Sequence, residues 1–195
     1  MTEPPVYQVT DGAAAYAGIE RLPVIVLLDN IRSLYNVGSF FRTADAVRAQ
    51  KILLAGITAD PGDRRISKTA LGAEQSMAWE RADDVPETLE HLRSQGYQLA
   101  AVETSVTAVG LFDWRPVFPV CVVFGHEVDG ISQLLLDRCD VHVRIPTLGV
   151  KQSLNVATAG GVVLYELLRK YRELLRSRDM GRGTWDMGHG PAGRI

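Results

Sequence analysis

Cysteine is nearly absent from this chain: Cys121 and Cys139 are the only two among 195 residues. Both stand in apolar, strand-like runs and read as buried thiols, so the chain suits a reducing compartment rather than a disulfide scaffold. Long hydrophobic runs are missing as well. The longest, Leu22 to Leu28 and Pro119 to Phe124, are far too short to span a bilayer. The first twenty residues carry Glu3, Asp11 and Glu20 but no Lys or Arg, which argues against a secretory signal. A cytoplasmic protein is expected. No GxGxxG follows a strand-like run, which disfavours a dinucleotide-dependent dehydrogenase. His91, His126, His142 and His189 are scattered without ligand spacing, so no metal site is expected. A formal net charge of −2 argues against a protein that coats DNA.

What is present is an ordinary globular composition, 46% apolar and 23% charged, at a length that favours one domain with extensions. Charge is unevenly placed. Residues 21–68 hold eight cations against four anions, whereas residues 74–103 hold seven anions against two cations. Such asymmetry can aim one face at a polyanion, although solvated surface faces also produce it.

Short apolar strands alternate with helical patterns. Strands are expected at Leu22–Leu28, Lys51–Ala55, Tyr97–Val102, Pro119–Phe124 and Val141–Ile145. Helices are expected from Asn36 to Val47, with Asn36 as a cap, at Val85–Ser94, at Ile131–Leu136, and from Ser153 to about Arg176. Ala59–Arg65, with its Asp-Pro-Gly-Asp, reads as a turn. The pattern predicts an α/β fold with a mostly parallel sheet flanked by helices. Ligands in such folds bind beyond the carboxyl ends of the strands, which singles out loops 29–36, 103–113, 125–130 and 146–153. Residues 1–20 read as an N-terminal extension, 21–176 as the domain, and 177–195 as a mobile tail. From Leu154 to Tyr165 the last helix is apolar nearly all round, which predicts enclosure in the core or against another subunit. Gly160 and Gly161, costly in a helix, suggest a backbone passing close by.

Three loops carry the chemistry. The first runs from Asp29 to Ala44 and contains Asn36, an amide that can cap a helix or reach a ligand, and Arg42 nearly two turns further on. The second, Gly125-His126-Glu127-Val128-Asp129-Gly130, has the spacing of a phosphate loop, but Ile131-Ser132 stands where that loop needs Lys and Ser or Thr. Its acidic residues repel phosphate and suit the hydroxyls and amine of a nucleoside ligand. The third runs from Ile145 to Ala157. There Ser153 can cap the long helix, and Asn155 among apolar neighbours needs a partner.

Asn36…Gly38…Arg42-Thr43-Ala44, Phe124-Gly125-x-Glu127-x-x-Gly130 and Ile145-Pro146…Gly149…Ser153-Leu154-Asn155-Val156 together resemble the three motifs of the TrmH (SpoU) branch of the SPOUT RNA methyltransferases. Lys68-Thr69-Ala70-Leu71-Gly72-Ala73-Glu74 also resembles a segment common there. The resemblance covers about Val24 to Glu166. It implies a parallel α/β fold whose C-terminal part forms a trefoil knot, a homodimer, and S-adenosylmethionine as the methyl donor, with S-adenosylhomocysteine as product. By position, cofactor contacts fall near Thr104, Gly125, Ile145, Ser153 and Leu154. The residues near the reacting ribose match Asn36, Arg42, Glu127, Ser153 and Asn155. The implied activity is methylation of a ribose 2′-hydroxyl in RNA, with transfer RNA preferred over ribosomal RNA. Base methylation and a catalytically silent RNA-binding protein of the same fold are the alternatives.

Overall fold

In a computed structural model, residues 18–151 and 153–182 can be described, the side chains as far as residue 178. The elements in chain order are β1 (Leu22–Asp29), α1 (Leu34–Ala46), β2 (Ala49–Ala55), α2 (Arg64–Ala70), α3 (Ala73–Ser76), β3 (Trp79–Ala82), α4 (Val85–Ser94), β4 (Gln98–Val102), β5 (Val109–Gly110), β6 (Val120–Phe124), α5 (Gln133–Leu136), β7 (Val141–Arg144) and α6 (Val156–Arg182). Seven strands form one sheet in the order β3-β2-β1-β6-β4-β7-β5. Every pairing is parallel. The expected parallel α/β architecture is therefore what the chain adopts.

The alternation of side chains along the strands assigns the two faces. Val24, Val26 and Leu28 of β1 face α1 and α6 in one buried cluster with Phe40, Phe41, Val163 and Leu164. Ile25 and Leu27 face the other way, toward Leu89 and Leu92 of α4 and Leu135 of α5. A strand buried on both faces reads as a continuous apolar run, which is why β1 and β6 were legible.

Two close approaches set the helices on the first face. Gly38 of α1 touches α2: a Cβ there would lie 2.0 Å from Thr69 Oγ1 and 2.6 Å from the Ile66 carbonyl oxygen. Gly160 of α6 receives the ring of Phe40, since a Cβ would lie 2.2 Å from Phe40 Cε1. The neighbour at Gly160 is thus an aromatic ring rather than the passing backbone the sequence suggested, and Gly161 has open space around its Cβ position. Phe40 also packs obliquely on Phe124, with ring centroids 5.0 Å apart.

The last helix differs from expectation at both ends. It begins at Val156, not Ser153, because Asn155 is its cap: Asn155 Oδ1 accepts from the N–H groups of Ala157 and Thr158. It continues through Arg182, past the point where a tail was expected to begin. Residues 1–17 and 183–195, which include most of the expected extension and tail, lie outside the described residues. Its apolar first half divides between two environments. Val163 and Leu164 are sealed in the chain's own core, whereas Leu154 and Tyr165 stand about half exposed, at 45% and 54%. The apolar stripe that the core leaves at least partly uncovered is the narrower one of Leu154, Val162 and Tyr165.

Candidate active site

The loops singled out by the sequence meet at the carboxyl ends of β1 and β6. These neighbours sit where the strand order turns back, the position at which doubly wound sheets hold ligands. The first piece of the site is the start of α1. Its cap is Ser33, whose Oγ accepts from the Asn36 N–H. Asn36 is therefore not the cap expected from the sequence but lies in the first helical turn, buried on the side facing α6. Freed from capping, its amide bridges two other loops. Asn36 Nδ2 donates to Glu127 Oε1 at 3.0 Å, and Asn36 Oδ1 accepts from Asn155 Nδ2 at 3.1 Å.

The second piece is the loop after β6. His126 and Gly130 exchange backbone hydrogen bonds, with Gly130 in a left-handed conformation at φ 70°. Gly125 permits this closure, since a Cβ there would lie 2.4 Å from the Gly130 carbonyl oxygen. The tight loop carries Glu127 back over β1. Its carboxylate accepts from the backbone N–H of Arg32 at 3.1 Å and of Ser33 at 3.0 Å, in addition to Asn36. Partial burial alone pushes the Glu127 carboxyl up, but the bonds from Arg32, Ser33, Asn36 and its own N–H together hold it below the usual glutamate range. These bonds favour the carboxylate form and fasten the loop to the start of α1.

The chain Glu127–Asn36–Asn155 thus ties the β6 loop, the α1 start and the α6 start into one polar network. Asn36 is buried and Asn155 exposed, so the bond between them meets the need of the buried amide oxygen. Arg42, two turns along α1, is exposed and has no hydrogen bond or ion pair among the described residues. Ser153 is exposed in the segment before α6 and takes no part in the network. Of the five residues expected at the reacting centre, Asn36, Glu127 and Asn155 are brought into contact, and Arg42 and Ser153 stay outside the network.

The positions expected to contact a cofactor also gather at one end. Thr104 follows β4, Gly125 follows β6 and Ile145 follows β7; these three strands are consecutive in the sheet. Leu148 and Val150 are exposed to nearly their full extent and Leu154 to about half, so the loop after β7 offers uncovered apolar surface there. A residue that sequence reasoning missed organises this end. Glu103 accepts from the N–H groups of Thr104 and Ile131 and from the Thr104 hydroxyl, locking the β4 loop to the β6 loop. A carboxylate directly after a strand in a loop of interest was the available signal.

Fold and site define a protein of the parallel α/β class with a polar network at the carboxyl end of its sheet. The profile of the SpoU rRNA Methylase family matches residues 23–165, and the chain belongs to that family. A protein of Staphylococcus haemolyticus assigned to the TrmH family of tRNA/rRNA methyltransferases is 30% identical over 155 residues, covering 80% of this chain and 62% of that protein. The chain thus spans about 60% of the length of the curated relatives it matches. Among solved structures, the A. aeolicus TrmH/SpoU tRNA modifying enzyme superposes with a TM-score of 0.73 at 26% identity, covering 80% of this chain and 78% of the other. The AdoMet-bound rRNA methyltransferase of Sinorhizobium meliloti superposes with 0.71 at 29% identity, covering 77% and 60%. AviRb of Streptomyces viridochromogenes, solved with AdoMet, gives 0.72 at 27% identity, covering 80% and 63%.

Proposed function

We propose that the protein transfers a methyl group from S-adenosylmethionine to a ribose 2′-hydroxyl of RNA, with transfer RNA preferred over ribosomal RNA. The observation that carries this reading is the Asn36–Glu127–Asn155 network, in which all three motif segments of the family meet through their own side chains. The cofactor fits the residues present. The open apolar surface of Leu148, Val150 and Leu154 suits an adenine and its ribose, and Thr104, Gly125, Ile145, Ser153 and Leu154 would hold it. When bound, it supplies a methyl group on a positively charged sulfur, open to in-line attack by an oxygen.

The chain's task is to make a ribose hydroxyl a better nucleophile and hold it in line. Glu127 keeps its charge and fixes the start of α1, so the Asn36 amide is held rigidly between two loops. Arg42 projects from the same helix, with no ion pair to its guanidinium among the described residues. An arginine stays protonated above pH ~12, so its fitting role is to clamp the adjacent phosphate and stabilise the developing alkoxide. In this reading the exposed Ser153 donates or accepts at the ribose. The knotted C-terminal threading of the family goes with this reading, as does a homodimer joined through the Leu154–Val162–Tyr165 stripe, in a cytoplasmic setting. Transfer of tritiated methyl groups to total RNA, followed by nucleoside analysis, tests the reaction. Calorimetry with S-adenosylmethionine, S-adenosylhomocysteine and NAD tests the cofactor: the first two should bind and NAD should not. Label appearing on a base, or tight NAD binding with no response to the sulfonium, would end this reading.

A further inference from the structure

The short helix α2 was absent from the sequence expectations, and none of its residues is used by the site described above. Its inner residues Ile66 and Ala70 are buried, and it crosses α1 at Gly38. Its outer residues Arg64 and Lys68 are exposed, one turn apart, and Leu71 follows at helical spacing. Arg64 and Lys68 have no ion pair among the described residues, although carboxylates lie close in sequence. Asp63 is occupied by Arg65 and by the α2 cap, Asp60 by the Gly62 N–H and Glu74 by the Gly72 N–H.

Leu71 is the odd member. It ends α2 in the left-handed region at φ 51°, a place where glycine is the usual residue. Its side chain is 66% exposed, so packing within this chain does not compensate for the strain. An exposed apolar side chain kept on a strained backbone is a candidate contact for a ligand. The stripe therefore presents two unpaired cations and then an apolar tip. The helix that carries it crosses α1 at Gly38, one helical turn before Arg42.

We infer that this outer stripe of α2 binds the RNA strand beside the methylated nucleotide. Arg64 and Lys68 contact two phosphates, and Leu71 packs against a sugar or base face. A phosphodiester backbone matches the two cations, and the packing of α2 on α1 at Gly38, one turn before Arg42, puts the stripe on the helix pair that carries Arg42. The inference rests on the RNA methyltransferase reading.

The test uses the full chain with unfractionated transfer RNA and with a labelled 20-nucleotide RNA, at several salt concentrations. Two phosphate contacts to a single strand contribute about 1.4 to the slope of log affinity against log salt, so Arg64→Ala/Lys68→Ala should bind RNA about 25-fold more weakly at 0.1 M salt, with a correspondingly shallower slope. Calorimetry with S-adenosylmethionine should match wild type. Leu71→Gly should raise the melting midpoint, by relieving the left-handed leucine, while lowering RNA affinity several-fold. A merely structural leucine would not move the two readouts in opposite directions. Wild-type RNA affinity and salt slope in the double variant would overturn the inference. An equal loss per charge from Arg138→Ala, on the opposite face of the sheet, would overturn it too, because diffuse charge would then suffice. A wild-type protein that binds S-adenosylmethionine and methylates RNA while the double variant is unaffected rejects this surface alone. A wild type that does neither rejects the parent reading.

Discussion

Replacing Glu127 with Gln removes a charge without removing volume. In the wild type, Oε1 accepts from Ser33 N–H and the Asn36 amide, and Oε2 accepts from Arg32 N–H. A glutamine keeps the oxygen where two donors converge and turns its NH2 toward the Arg32 N–H. One charge-assisted bond is lost, two others weaken, and two donors face each other. A hydrogen bond to a charged group contributes about 1.5–3 kcal/mol, and the exposure of this site places the loss at the lower end, about 1–2 kcal/mol. The pH dependence has a definite sign. Because the folded carboxyl lies below its ordinary value, its stabilisation is fully present above the unfolded value of about 4.3 and disappears as pH falls through the folded one. Urea unfolding of wild type and Glu127→Gln should therefore show a gap at pH 7 that narrows below about pH 4. Methyl transfer should fall about tenfold at pH 7, since a kcal/mol or so of misplacement reaches Asn36 and Asn155. Equal stability at pH 7, or a gap unchanged at pH 3, would refute the anchoring role.

Arg42→Ala should lower single-turnover methylation by about 10²–10³ while S-adenosylmethionine calorimetry stays near wild type, and Arg42→Lys should rescue only in part. Gly38→Ala gains helix propensity but drives a Cβ to 2.6 Å from a backbone oxygen, so denaturant unfolding should show a net loss of about 1–3 kcal/mol. Val162→Asp or Tyr165→Asp should give a folded monomer by sedimentation, whereas Val163→Asp, in the sealed core, should fail to fold. A wild-type protein that sediments as a monomer at micromolar concentration would refute the dimer.

Strands buried on both faces were legible because their apolar runs are unbroken, and β1 and β6 show this best. Edge elements were not. β3 reads Trp79-Glu80-Arg81-Ala82, with one buried residue, and its strand character comes from pairing to β2 rather than from pattern. The α2 and α3 helices are only seven and four residues long, too short to display a period, and the Asp-Pro-Gly-Asp turn before α2 hid the Asp63 cap. In the site, residue identity was readable but division of labour was not. Asn36 and Ser33 are both good caps, and it is the partners brought by distant loops, Glu127 and Asn155, that engage Asn36 while Ser33 caps. The sequence left open whether residues 154–165 are enclosed by the core or by another subunit, and Val163 and Leu164 lie in the core. A helix apolar all round reveals that it is enclosed, not which side encloses it.

Lys170 lies two turns beyond Val163 on α6, with its ammonium donating to the backbone oxygens of Leu111, Phe112 and Trp114 and lying 3.5 Å from Glu166. Three converging carbonyls around one positive centre resemble the shell of a bound metal ion, supplied here by the chain itself. The turn after β5 is thereby fastened to the same helix whose first residues hold Asn155 against Asn36. Because α6 is a continuous rod, a shift of its far half would reach both the turn and the polar network together. The helix that closes the fold therefore works as a shared spindle for two loops that sequence places more than forty residues apart from its start.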